Sequence, residues 1–301
     1  MRFRAFFGCL FSTLLAASSA QQIVASSNNT AHDTISQYGS SFKNQGGNIL
    51  HDKVNAYIIF YGNWSSSQLQ QEQQTFMKFV DKISLSPWFK TFNQYTDSNG
   101  KSVTGPLHLA AAVNDAGSHS LNLTNSVHKQ IVLDAVNSGY LSPTNQLDSD
   151  GVYIIMGGPD VSDSEFCSVN CGYNSYSDQF QYIFIGYPGI CPDRQVIYAC
   201  IPGINKSQSP NNSPAIDAAI NIFSHEIQDV LTDPRNNAWK IQTDNLTIEL
   251  GDFCADSSNS ANRFGNYTTS SSSGSYNLEL DNNYYLVQTV FDKENQKCTL
   301  G

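Results

Sequence analysis

The 301-residue sequence is poor in positive charge: 16 Lys and Arg stand against 26 Asp and Glu, for a formal net charge of −10. Its basic residues form no cluster, so the electrostatic footprint of nucleic-acid or anionic-lipid binding is missing. Beyond the first twenty residues no run is apolar over the roughly 20 residues that a membrane span requires. The polar C-terminal end argues against a lipid anchor. No Gly-x-Ser-x-Gly occurs, so a nucleophile-elbow serine hydrolase has no local signature. No Gly-rich loop with lysine is present to cradle a phosphate, and no internal repeat is seen.

What the sequence does have begins with an address. MRFRAFFGCLFSTLLAASSA places two arginines before a short apolar run and ends on small residues. It reads as a secretory signal peptide, residues 1–20, cleaved after Ala20. Cleavage removes Arg2 and Arg4 from the 16 basic residues, leaving 14 against 26 acidic ones and a formal charge of −12. Cys9 leaves with the signal, and the six remaining cysteines predict a disulfide framework in an oxidising compartment. Spacing suggests Cys167–Cys171, Cys191–Cys200 and Cys254–Cys298, with zinc ligation by these cysteines as the rival reading. Asn-x-Ser/Thr sequons at Asn28, Asn63, Asn122, Asn205, Asn211, Asn245 and Asn266 would place their loops on the surface.

Residues 21–45 are polar, without periodicity, and read as a flexible leader. Residues 46–301 read as one domain. Strands are predicted over 54–61, 107–113, 152–156, 181–185, 246–250 and 284–290, and helices over 66–83 and 124–136. Residues 256–275 are Ser/Asn/Gly-rich and read as a loop. Strands alternating with helices predict an α/β domain, a layered sheet with packed helices.

The stretch 213–234, SPAIDAAINIFSHEIQDVLTDP, predicts one buried helix. Ser213 suits the N-cap and Pro214 the first helical position. Ile216, Ile220, Phe223, Ile227 and Val230 form an apolar stripe, and Pro234 ends the helix. Late in this helix come His225, Glu226 and Asp229. His225 and Asp229 stand one turn apart on one face and can ligate one metal ion. Glu226 beside them can activate water, as in the zinc-peptidase H-E-x-x-H helix. The plain alternative is a helix end with a satisfied histidine and solvated acids. Other features carry less. His51, His108, His119 and His128 lack ligand-like spacing. Asp217 suits the positive helix end. Gly157-Gly158-Pro159-Asp160 is either a ligand turn or a strand end. Trp64, Trp88 and Trp239 serve as sugar-stacking platforms or as buried anchors.

Several stretches resemble the phosphate-induced/EXORDIUM family of secreted, cell-wall-associated proteins. They are residues 46–68 with Tyr61-Gly62-Asn63-Trp64-Ser65, residues 151–173, Cys191-Pro192 with Cys200, residues 210–239, and the pair Cys254 and Cys298. The resemblance implies an extracellular role in signalling and growth without a settled biochemical activity. The chain departs from the plant-type pattern, in which the helix lacks His-Glu and runs into Thr-Asn-Pro. It resembles instead a non-plant branch with His-Glu, Thr232-Asp233-Pro234 and a downstream acidic segment, Glu249 to Cys254. That pairing supplies Asp252 as third ligand beside His225 and Asp229, with Asp233 and Glu249 as rivals. For those two the alternatives are a turn-capping acid and a solvent-facing strand residue. The expected cation is zinc first, with calcium or manganese as alternatives, and the expected partner is a peptide or a cell-wall ligand. A non-catalytic glycan- or receptor-binding protein is the competing expectation.

Overall fold

A computed structural model describes residues 31–192, 200–243, 246–255 and 259–301. The expected signal peptide, residues 21–30 of the leader, and the sequons at Asn28 and Asn245 lie outside them. Packed chain starts upstream of Gly46, with helix α1 (Ala31–Tyr38) and strand β1 (Lys43–Asn44). The reason is Phe42, which is 5% exposed and seats its ring against Tyr95, Trp239, Phe253 and Phe291. One aromatic in a polar stretch gives no periodicity to read.

The elements that follow are β2 (Val54–Tyr61), α2 (Ser67–Lys82), α3 (Pro87–Lys90), β3 (Leu107–Asp115), β4 (Asn122–Leu123) and α4 (Asn125–Asn137). Next come β5 (Val152–Gly157), β6 (Ser162–Asp163), β7 (Gly172–Tyr176), β8 (Gln181–Ile185) and α5 (Pro214–Thr232). Five of the strands form the central sheet in the order β3-β2-β5-β8-β7. The first four run parallel, and β7 pairs antiparallel with β8 at the edge. Burial on both faces explains why β5 and β8 read as continuous apolar runs. β7 was not anticipated, because GYNSY lacks both alternation and β-branched residues.

Register sorts the side chains into two faces. Tyr57, Tyr153 and Tyr182 align, and Ile59, Ile155 and Phe184 follow two residues on. This face takes α4, where His128 stacks on Phe184. The opposite face carries Ile58, Ile154 and Ile183, then Phe60, Met156 and Ile185. It takes α2 and α5: Phe60 meets Phe76, which meets Phe223. Phe223 is fully buried and also touches Phe79. Truncating it to alanine would cost about 3–5 kcal/mol.

Three disulfides close the loops, and two differ from the spacing-based pairs. Cys167 bonds Cys191 and Cys171 bonds Cys200, while Cys254–Cys298 is as expected. Residues 167–170 form a tight turn, with Cys167 N–H donating to Asn170 O. Cys167 and Cys171, at its two ends, therefore bond Cys191 and Cys200 rather than each other. The expected strand at 246–250 shortens to Thr247–Ile248, and the 284–290 stretch splits into Asn283–Tyr285 and Val290–Asp292. The 256–275 loop contains a short helix, Ser260–Phe264, and strand Thr268–Ser270. Asn63, Asn122 and Asn266 are exposed. Asn205 is 2% exposed, with its amide bonded both ways to the Ser275 backbone, so that sequon is closed.

Candidate metal centre

Helix α5 forms as its sequence dictates. Ser213 Oγ accepts from Ile216 N–H and donates to the buried Glu72 carboxylate at 2.7 Å. Pro214 opens the helix, and Asp233 and Pro234 close it. Nearly every residue is buried, so its polar side chains must find partners inside the fold. Asp217, Asn221, His225, Asp229 and Asp233 recur every fourth residue and make one polar stripe.

The chain returns over this stripe. After α5, strand β9 (Trp239–Gln242) pairs antiparallel with β10 (Thr247–Ile248), which delivers Glu249. The 3-10 turn Gly251–Cys254 then carries Asp252. Gly251 lets the turn approach closely: a Cβ would stand 3.0 Å from His225 O and 3.1 Å from both Asp229 carboxylate oxygens. The Gly251 N–H donates to Asp229 Oδ1. The turn is pinned from behind by the Cys254–Cys298 disulfide and by Phe253, stacked on Phe291 at 4.5 Å.

His225 Nε2 lies 3.6 Å from Asp229 Oδ2 and 3.9 Å from Asp252 Oδ1. Ligand atoms of His225, Glu226 and Asp229 all fall within 4.8 Å of one another. Donors at that spacing suit a cation with ligand bonds of about 2.0–2.6 Å. Gln288, with no exposed surface, fixes the imidazole. Its Nε2 donates to Gly251 O at 2.6 Å, so its Oε1 must accept from His225 Nδ1 at 3.2 Å. With Nδ1 directed to Gln288, the ring turns Nε2 toward the Asp229 and Asp252 carboxylates.

The electrostatics agree. Burial raises the Glu226 carboxyl to about 7, with Asp252 adding to the rise and the His225 and Asn174 contacts opposing it. Asn174, on β7, reaches Glu226 Oε2 at 3.4 Å. Asp229 is held well above the usual carboxylate range by burial, then by Glu249, Asp252 and Glu226. Glu249 is held well above its range by burial, then by Asp233, Asp252 and Glu226. Burial also raises Asp252, with His225 opposing. Lys240 opposes the rise at Glu249 and Asp233.

The sequence thus named four residues that the fold brings together: His225, Glu226, Asp229 and Asp252. It undervalued Glu249. A solvent-facing strand position was expected, yet of the charges acting on Asp229 that of Glu249 is the largest. It missed Gln288 altogether, since a lone Gln in an extended stretch carries no local signal.

A family model described as the phosphate-induced protein 1 conserved region matches residues 42–300. The chain belongs to the phosphate-induced protein 1 family. Two Arabidopsis thaliana relatives are similar to it. Protein EXORDIUM-like 3 is 27% identical over 278 residues, 84% of this chain and 81% of the relative. Protein EXORDIUM-like 5 is 25% identical over 224 residues, 67% of this chain and 60% of the relative. No solved structure matches the chain.

In this phosphate-induced protein 1 domain the other sequence candidates have structural uses. Trp64, Trp88 and Trp239 are at most 6% exposed, and their indole N–H groups donate to Tyr61 O, Gln288 O and Thr96 O. They are anchors, not sugar platforms. Asp160 in the Gly157–Asp160 turn accepts from Asn63 N–H and ties the ends of β2 and β5 together. Asp217 is bonded by Asn211. Among the described residues no helix is long and apolar enough to cross a membrane.

Proposed function

We propose that this family member is a secreted protein holding one divalent cation between His225, Asp229 and Asp252, and that it performs a peptidase-like hydrolysis with Glu226 as general base. The observation that supports this is the approach of the Asp229 and Asp252 carboxylates to His225 Nε2, on a ring held by Gln288. A cation bound there would polarise a substrate carbonyl and acidify water. Glu226, buried beside these ligands, is placed to take and return a proton. Asn174 orients it. One imidazole among carboxylates suits zinc, with manganese and calcium as harder alternatives. Three disulfides fit an oxidising, extracellular route and a peptide or cell-wall ligand there.

A second reading has its own support. The His225 and Asp252 side chains are only 12% and 13% exposed, and Asp229 is 3% exposed. So closed a site favours a structural ion in a non-catalytic extracellular protein that binds a glycan or a receptor. The deciding experiment is metal content by plasma mass spectrometry on the secreted protein and on His225→Ala. About one equivalent or more of a transition metal, lost in the variant, is expected; no metal after zinc add-back would sink the cation reading. Peptide hydrolysis abolished by chelator and by Glu226→Gln then separates catalysis from a structural ion.

A further inference from the structure

Two of the three disulfides touch each other. Cys167–Cys191 and Cys171–Cys200 both tie the turn at 167–171 to cysteines farther along the chain. Cys191 Sγ, of the first bond, lies 3.3 Å from Cys200 Sγ, of the second. A sulfur–sulfur bond is about 2.0 Å long, so a small movement would join these two atoms. Four half-cystines thus meet in one cluster. The third disulfide has a different neighbour, with Cys298 Sγ against Phe253 O at 3.8 Å.

Exposure sets an order of access. Cys167, Cys171 and Cys191 are half-buried, whereas Cys200 is only 5% exposed. A disulfide opens by thiolate attack on a sulfur that the attacker can reach. From solution the half-buried sulfurs are in reach. The Cys200 sulfur is reached from inside, by Cys191.

The backbone adds a second observation. Cys167 sits at φ 61°, a conformation that the Cβ of an L-residue disfavours. The turn holds it there through the Cys167 N–H bond to Asn170 O and three N–H bonds to Glu165 O. Its disulfide to Cys191 is the covalent part of that restraint. A state with Cys167 free relaxes it.

We propose that these four cysteines form a disulfide-exchange centre, at which one two-electron reduction by a dithiol unties both cross-links. A thiolate of the dithiol attacks Cys167 Sγ, the Cys167–Cys191 bond breaks, and Cys191 leaves as a thiolate. The second thiol of the reductant closes its own disulfide and releases Cys167 as a thiol. Cys191 then attacks Cys200 Sγ. The Cys191–Cys200 bond forms, the Cys171–Cys200 bond breaks, and Cys171 leaves and takes a proton. The dithiol has given two electrons and two protons, and Cys167 and Cys171 have received them. Entry by attack on Cys171 Sγ reaches the same product, because the Cys200 thiolate it releases faces Cys191. The product keeps a Cys191–Cys200 pair. The turn, which runs directly into β7 at Gly172, loses both covalent ties. This redox-sensitive device is independent of the cation reading.

The test is partial reduction of the full oxidised protein with graded dithiothreitol. Samples are quenched in acid, alkylated with N-ethylmaleimide at low pH and mapped by peptide mass spectrometry. In chains with two of the four cysteines labelled, the labels are expected at Cys167 and Cys171, with Cys191 and Cys200 still joined. Labels at Cys167 with Cys191, or at Cys171 with Cys200, overturn the proposal. Direct passage to four labelled cysteines, or resistance of all four short of unfolding, also overturns it. Cys167→Ser starts the chain with a Cys191 thiol and needs no reductant. Its label should move from Cys191 to Cys171, and a label that stays on Cys191 overturns the exchange. Where this variant fails to fold, the wild-type map decides.

Discussion

The fold buries two histidines beside acids, one on each face of its sheet, and treats them in opposite ways. His128 on α4 has no exposed surface, stacks on Phe184 at 4.4 Å, and meets the Tyr173 hydroxyl at 2.8 Å. Its acidic neighbour is Asp163, 3.6 Å from Nε2. Burial pushes its pKa down to about 3, so the ring stays neutral. His225 on α5 meets Asp229 and Asp252, and Glu226 and Glu249 stand behind them. One acid beside a neutral ring is a core arrangement. Several acids around one imidazole nitrogen make the arrangement for which a cation is proposed. Residue type alone does not separate them; the number of carboxylates does.

The comparison breaks most visibly when the cation is removed. At a free cation concentration of about 1,000 times Kd, binding adds about 4 kcal/mol. For a domain this size that is roughly 10 °C in Tm, at about 2–4 °C per kcal/mol. Chelator should lower the wild-type Tm by about this amount and leave His225→Ala unmoved. A chelator-sensitive His225→Ala would mean that the ion sits elsewhere.

The α4 cluster should ignore chelator and respond to its own partner. Tyr173→Phe removes the hydroxyl that meets Nδ1, and Nε2 already lacks a hydrogen-bond partner. A buried ring with both nitrogens unsatisfied costs about 1–3 kcal/mol. Urea unfolding with and without chelator should give the same loss. A loss that disappears on adding metal would tie the two clusters together and undo the contrast.

Acid should drive the two clusters in opposite directions. His128 has a folded pKa near 3 against an unfolded value of about 6.5, so the folded state binds fewer protons. Its contribution is full above pH 6.5 and is lost as pH falls, at about 1.4 kcal/mol per unit. Asp163, raised by burial, opposes it in part. In the stripped protein, Asp229 and Glu249 have raised folded values, so the folded state binds more protons and gains stability as pH falls. Between pH 6.5 and 5, His128→Phe should lose about 2 kcal/mol less than the wild type. Parallel curves for the two proteins would refute a neutral buried His128.

This contrast also marks what the sequence could show. Val54–Tyr61, Val152–Gly157 and α5 were legible because buried parallel strands and a stripe of Ile and Phe carry their own period. His225, Glu226 and Asp229 were legible because a helix fixes their spacing. Phe42, β7, Gln288 and the interlaced disulfides were not. Each takes its place from a segment far away in the chain: Gln288 lies 63 residues from His225, and Cys167 lies 24 from Cys191. His128 was read as an ordinary histidine. The tyrosine that partners it is 45 residues on and gave no sign.

The smallest expected effect tests the cause of the difference rather than its size. Gln288 orders the His225 tautomer only because its amide is itself ordered by Gly251 O, while Trp88 Nε1 and Ser224 Oγ hold its backbone. Gln288→Met keeps the volume and removes the acceptor on Nδ1. The ring can then place its proton on Nε2, toward the carboxylates, and compete with the cation. Outer partners of this kind are worth about 10- to 100-fold in affinity. Gln288→Met should weaken cation binding by about tenfold, measured by titration calorimetry at pH 7. Gln288→Glu keeps an acceptor for Nδ1 and should weaken it less. Equal affinities in all three proteins would show that the carboxylates alone order the imidazole, and that His225 differs from His128 in its acids and not in its tautomer.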